Sequence, residues 1–288
     1  MLANIARQST GTVIEPAEPT VWTSSKCWYF TDSYIYKEFD VIEPVFPASN
    51  NFTYSFWVYL NELTYSGGWG ESILYLAATS LSGTQEYNLV GSVLHYRQQN
   101  EQKLKLYRSN HSVNPEYISM ESGSWVNITL TGTDASSNAL KVYKDGSLAL
   151  STGNGTNDFN LNASSRVAPF KFQIGINPTF SYNPSGFYIS ELGVWDVALD
   201  AGAVAVISAS VIDWNSNSGS YDNANDLVAY YRFGNGTGDN PASRLHDETN
   251  SDHVASESDG DRDLTSVVGT INEVNTSSVG TYPINQSS

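Results

Sequence analysis

The chain has 288 residues, with 30 acidic against 14 basic side chains, a net charge of -16 and only 15% charged residues. So acidic a chain repels phosphate backbones and anionic lipid, which excludes nucleic acid and acidic membrane surfaces as partners. With 18 Tyr, 7 Trp and a single cysteine, Cys27, the composition excludes a disulfide scaffold, a cysteine zinc site, a helical bundle and a disordered chain.

Residues 1–20 are polar, carry Pro16 and Pro19, and read as an extended arm, either a tail or an assembly arm that docks on a neighbour. The opening MLANIARQSTGTVIEP lacks the roughly 7–15-residue apolar stretch of a secretory signal. No run of about 18 apolar residues occurs, so no membrane span is expected. Synthesis and folding in a cytoplasm follow as the expectation. Residues 26–36 (KCWYFTDSYIY) predict two short strands around a turn at Asp32 and Ser33. After Pro44 and Pro47 comes 52–60 (FTYSFWVYL), apolar or aromatic at every second position with Thr53 and Ser55 on the other face. That alternation predicts a half-buried strand.

Residues 66–70 (SGGWG) form a loop carrying an aromatic, and 72–78, 87–96 and 103–108 are strand candidates. Residues 125–131 (WVNITLT) alternate again, with Val126, Ile128 and Leu130 inward. The clearest hairpin is 140–150 (LKVYKDGSLAL), whose Asp145 and Gly146 suit the positive φ angles of a type I′ turn. Residues 170–176 (FKFQIGI) and 186–195 (GFYISELGVW) add two strands. Asp200 then reads as the N-cap of a short helix over 201–209. From Val211 the composition shifts: 213–226 is an Asn/Ser/Gly loop, 227–233 (LVAYYRF) a strand, and 235–263 acidic and polar. This predicts an all-β protein, an antiparallel two-sheet sandwich with one short helix. Its divisions are an arm at 1–20, the sandwich at 21–210 and a C-terminal appendage at 211–288.

Six landmarks in order resemble the laminin-G-like, concanavalin A-type jelly roll. The aromatic strand before D-x-Y-I matches 28–35, F-T-x-S-x-W-V matches 52–58, and W-x-x-I-x-x-T matches 125–131. The L-x-x-Y-x-D/N-G hairpin matches 140–146 and F-x-I-G matches 172–175. The closing G-x-I-D-E-V-x-V-x-x-x-A-L matches 186–199 with a one-residue offset after the glycine, and the family's Asp is Ser190 here. These are core and turn positions, so they speak for the fold and not for a ligand. Residues 227–236 (LVAYYRFGNG) are also similar to an L-V-x-W-W-R-M-G-D-G stretch that follows such domains in tailed-phage virion proteins.

The resemblance directs the search for chemistry. Members that hydrolyse β-glucans carry E-x-D-x-E on one strand face, which sets two carboxylates in one cleft. No strand here has that pattern, and Glu191 stands alone on its strand. The four histidines, His95, His111, His246 and His253, have no metal-ligand spacing, and no nucleophile elbow or phosphate loop occurs. Calcium is the ion the fold's loops suit, through carboxylates and carbonyls. Asp158, Asp222, Asp226 and the run Asp259, Asp261, Asp263 are loop acids, and charge for solubility explains them equally. Sugars need aromatic faces beside amides and carboxylates. Trp69, Tyr182 with Asn177 and Asn183, and Trp214 are therefore the carbohydrate-binding candidates. Each aromatic could equally be a loop anchor in the core or an intersubunit contact.

The resemblance implies a non-catalytic virion structural protein of a tailed bacteriophage, a capsid decoration or tail-associated adhesin. Its partners would be other virion proteins, further copies of itself in a homo-oligomer, and host-surface glycans, with repeated attachment supplying avidity. A free lectin, with calcium as candidate cofactor, is the alternative, and a glycoside hydrolase the third reading.

Overall fold

The computed structural model describes residues 24–40, 51–61, 71–80, 87–98, 101–108, 116–132, 140–151, 166–175, 186–209, 212–249 and 262–279. The expected arm at 1–20 lies outside them. The strands are β1 (Lys26–Phe30), β2 (Tyr34–Phe39), β3 (Phe52–Leu60), β4 (Glu71–Ser80) and β5 (Tyr87–Gln98). Then come β6 (Glu101–Arg108), β7 (Glu116–Met120), β8 (Trp125–Gly132), β9 (Leu140–Lys144) and β10 (Ser147–Ser151). The last are β11 (Arg166–Gly175), β12 (Phe187–Trp195), β13 (Leu227–Tyr231), β14 (Ser266–Val268) and β15 (Asn272–Asn275). The helices are α1 (Ala201–Ala209) and the single turn α2 (Thr276–Val279).

The strands form two antiparallel sheets. The first runs β10, β9, β8, β3, β12, β1, β15, and β13 joins β12 beyond the end of β1. The second runs β14, β2, β11, β4, β5, β6, β7. The predicted all-β sandwich is what forms, with α2 added to the one helix expected. The alternating residues read from the sequence line one core between the sheets. Trp28, Phe56, Ile128 and Val194 come from the first sheet, and Ile35, Leu76, Leu104 and Phe172 from the second. Removing one such ring, that of Phe56 for instance, would cost about 3–5 kcal/mol through lost burial and the cavity left behind.

The hairpin and cap predictions hold, whereas β3, expected to be half-buried, is buried on both faces, Thr53 and Ser55 included. Asp145 and Gly146 take φ of 49° and 75° between β9 and β10, as a type I′ turn requires. Asp200 Oδ1 accepts the Ala203 N–H at 2.8 Å, capping α1. The strands on either side of Asp32 and Ser33 form, but they do not pair. β1 lies in the first sheet and β2 in the second, so the turn carries the chain across the sandwich. Asp32, at φ 47°, makes the corner, and Gly175, at φ 109°, lies against it. A Cβ at Gly175 would stand 2.6 Å from the Ser33 carbonyl oxygen.

Residues 211–288, set apart by composition, are built into the sandwich wherever they are described. β13 pairs β12, β15 pairs β1, and β14 pairs β2. A second core forms on the outer side of the first sheet. There α1 and the 212–227 segment bury Trp195, Val204, Ile207, Trp214, Tyr221 and Tyr230 together.

At Glu191, φ 46°, β12 bulges against β3. The extra residue shifts the alternation from Phe187 and Ile189 inward to Leu192 and Val194 inward. It also leaves the Glu191 carboxylate fully buried. Arg232 forks onto it, with Nε to Oε2 and Nη2 to Oε1 both at 3.3 Å, and the Tyr230 hydroxyl donates to Oε2 at 2.7 Å. This network ties β12 to β13.

Candidate functional site

Two outward faces carry aromatic side chains in register. On the first sheet, β1, β12, β3 and β8 align Tyr29 with Tyr188, Tyr188 with Tyr59, and Tyr59 with Trp125. These rings pack on one another, Tyr29 and Tyr188 at 4.6 Å between centroids and Tyr59 and Trp125 at 5.8 Å. The polar end of Tyr29 is taken up by the Asn61 amide at 3.5 Å.

The second sheet differs. Phe170, Phe172 and Ile174 of β11 face the core, so Lys171 and Gln173 face outward. Ile35 faces inward on β2, which turns Tyr34 and Tyr36 outward, and Leu74 and Leu76 flank an outward Tyr75 on β4. Register places Tyr36, Gln173 and Tyr75 side by side across three neighbouring strands. Glu38 stands opposite Lys171 in the same pairing. The Lys171 ammonium lies 3.9 Å from the centre of the Tyr36 ring and 5.3 Å from that of Tyr34, a cation over two tyrosine faces. Burial lowers the Lys171 pKa, and Glu38 pushes it back up.

Gln173 is fully buried in this row, and neither its amide oxygen nor its amide nitrogen has a hydrogen-bond partner. An unpaired buried amide costs about 1–3 kcal/mol, and most native polar groups avoid it. The face thus combines the half-buried rings of Tyr34 and Tyr36, an ammonium and a carboxylate, above the buried Tyr75 and Gln173 side chains. Those are the groups that hold a sugar, with C–H surfaces on rings and hydroxyls on directed polar atoms.

The residues singled out from the sequence fall elsewhere. Trp69, Asn177, Tyr182 and Asn183 lie outside the described residues. Trp214 is corrected from a candidate sugar platform to a core anchor. It is fully buried, 5.4 Å from Trp195 and 5.0 Å from Tyr230 between ring centres, and the Tyr221 hydroxyl donates to its carbonyl. A ring with no exposed face cannot stack on a sugar.

The acids noted for calcium do not assemble either. Asp263 accepts from His246 Nδ1 and the Asp247 N–H and pairs with Arg244, while Asp226 takes the Asn223 amide. Asp222 is exposed, and Asp158, Asp259 and Asp261 lie outside the described residues. Among the described residues no three His, Cys, Asp or Glu side chains are grouped to hold a metal ion. Calcium therefore has no fitting donor set there. The signal that could have flagged Gln173 is a polar residue between two core positions on a strand whose outward neighbours are tyrosines, but any solvated strand face offers such a pattern.

Residues 32–205 match the profile of Laminin_G_3, described as the concanavalin A-like lectin/glucanases superfamily. The chain belongs to that superfamily. Its match begins at the β1–β2 corner and ends within α1, so it spans most of both sheets. No curated protein matches. Among solved structures, a candidate carbohydrate binding protein from Bacteroides ovatus is similar at 17% identity and a TM-score of 0.56, over 88% of this chain and 60% of that one. The botulinum neurotoxin type G receptor binding domain is similar at 15% identity and a TM-score of 0.38, over 56% and 38% of the two chains. A Trypanosoma rangeli sialidase is similar at 14% identity and a TM-score of 0.40, over 55% and 22%. This chain therefore spans under two thirds of the length of each. A fold does not fix a ligand, so membership establishes the sandwich and leaves the ligand to the site. Among the described residues no helix is long and apolar enough to cross a membrane.

Proposed function

We propose that this chain is a non-catalytic glycan-binding module that acts through the outward face of β2, β11 and β4. The observation that carries the reading is the pair of half-buried tyrosine rings, Tyr34 and Tyr36, beneath the Lys171 ammonium on that face. Hydrolysis would need two carboxylates roughly 5–10 Å apart across one cleft. Among the described side chains β2 and β11 bring one carboxylate to this face, Glu38, and Glu191 is buried against Arg232. The test is a glycan array probed with the whole chain, repeated with Tyr36→Ala and Tyr34→Ala. The expected result is binding to a defined glycan, weakened at least tenfold by either substitution. Binding unchanged by both would overturn the assignment of the face.

The finer reading places the module on the surface of a tailed-phage particle, as a capsid decoration or tail adhesin in homo-oligomeric copies. Its support is the similarity of 227–236 to a virion stretch. Those residues form β13 and its following turn, so they act inside the sandwich, and attachment to neighbours falls to other segments. Density-gradient fractionation with peptide mass spectrometry tests it. Co-sedimentation at fixed stoichiometry with a major capsid protein supports a virion part, and recovery only as free protein supports a free lectin instead.

A further inference from the structure

We propose that the sugar held on this face carries a substituent ending in a methyl group, as a 6-deoxyhexose or an acetamido sugar does, and that the methyl sits between the Tyr34 ring and the Val268 side chain. The inference rests on the reading of the face as a glycan site and names the class of sugar. β14 pairs with β2 at the edge of the second sheet, with Val268 opposite Tyr34, Val267 opposite Ile35 and Ser266 opposite Tyr36. Ile35 and Val267 pack on the core, so Val268 and Ser266 stand on the outward side beside the two tyrosines. Paired side chains on one face have Cβ atoms about 4.5–5.5 Å apart, so Val268 and Tyr34 flank one shallow seat.

Val268 is 38% exposed, one of two large hydrophobic side chains left in solvent among the described residues. The other, Leu148, has the buried Tyr143 as its register partner, which leaves it no ring to share with a ligand. On its other side Tyr34 is paired with Gly175, which brings no side chain against the ring. The cation lies toward the second tyrosine, with the Lys171 ammonium 3.9 Å from the centre of the Tyr36 ring and 5.3 Å from that of Tyr34. The face is therefore graded along β2, polar at Tyr36, Lys171 and Ser266 and apolar at Tyr34 and Val268. A sugar with hydroxyls at one end and a methyl at the other matches that gradient. Covering apolar surface with one methyl-sized group is worth about fourfold in affinity. A hydroxymethyl in the same place gives up water and gains no side-chain partner from Val268 or Gly175, which widens the difference. Val268 lies outside residues 32–205, the span matched by the family profile, so this preference belongs to the C-terminal strand of this chain.

The experiment is a ligand-observed NMR titration of the whole chain with matched sugars: L-fucose against L-galactose, L-rhamnose against L-mannose, and N-acetylglucosamine against N-formylglucosamine. In at least one pair the methyl-bearing member should bind about fivefold more tightly. Val268→Thr, which keeps the shape of the side chain and replaces a methyl by a hydroxyl, should abolish that preference, and Val268→Ile should keep it. Tyr36→Ala should weaken both members of the pair alike. Thermal midpoints of the variants report whether the sandwich is intact. Equal affinity within every pair, or a preference that survives Val268→Thr, overturns the methyl seat while the glycan face stands. No binding of any sugar here or on the array removes both. Which pair shows the preference separates a deoxy sugar from an acetamido sugar.

Discussion

Glu191 and Arg232 are the residues whose chemistry is least visible from their neighbours in the chain. Burial raises the Glu191 pKa, and the Arg232 guanidinium and Tyr230 hydroxyl pull it back down. Removing one member of a buried pair strands the other charge, at about 3–5 kcal/mol. Glu191→Leu should therefore lower the urea midpoint far more than Glu191→Leu combined with Arg232→Met. Equal losses in the single and double variants would show that Arg232 finds water or another partner. Asp200 and the Asp145–Gly146 pair could be read directly, because an N-cap and a type I′ turn are settled within a few residues of sequence. Trp214 could not. In a stretch of Asn and Ser it looks like a surface ring, and only the approach of Trp195, Tyr221 and Tyr230 makes it core. Gln173 is illegible for the opposite reason. A polar residue on the outward side of a strand is unremarkable until the folded structure buries it.

At the scale of elements, the strands are legible and their partners are not. Period-two alternation marks β3, β8 and β11 without reference to the rest of the chain. Whether consecutive strands pair depends on the turn between them. β9 and β10 are joined by a hairpin turn, whereas β1 and β2 part at Asp32 to enter different sheets. The C-terminal strands are the least legible. β14 and β15 have three and four residues, too short for alternation to register, yet each pairs with an early strand, β2 and β1. Asn235 reinforces the closure. Its Oδ1 accepts the Ser25 and Lys26 N–H groups at 2.8 and 2.9 Å. A chain ending at residue 210 should therefore fail as a sandwich, because it strips partners from β1, β2 and β12 and opens the second core. Expression of 1–210 should yield aggregate or a loose state by circular dichroism and proteolysis. A monomer with a cooperative thermal transition would contradict the closure.

For the whole molecule, burial has raised the pKa of several carboxyls at once: Asp145, Glu191, Asp196, Asp239 and Asp247. A carboxyl whose pKa is higher in the folded than in the unfolded chain binds more protons when folded. Its contribution is fully present below the unfolded value near 4 and is lost as pH rises through the folded value. Lowering the pH also relieves the self-repulsion of the -16 charge. The thermal midpoint should therefore rise as the pH is lowered through the folded values toward the unfolded value near 4, and calorimetry across that range checks it. A midpoint that falls steadily over the same range would mean that the paired forms of these acids dominate.

The sequence by itself determined the class of fold, the place of most strands, the hairpin at Asp145 and the cap at Asp200. Alternation, turn residues and caps are local, and their free energies are set within a turn or a strand. Only the tertiary structure decided which strands share a sheet, that the C-terminal strands complete both sheets, that Trp214 is core, and that Tyr36, Gln173 and Tyr75 form one row. Those facts depend on register between strands far apart in the chain, where burial by a distant neighbour turns an ordinary polar side chain into an unpaired one.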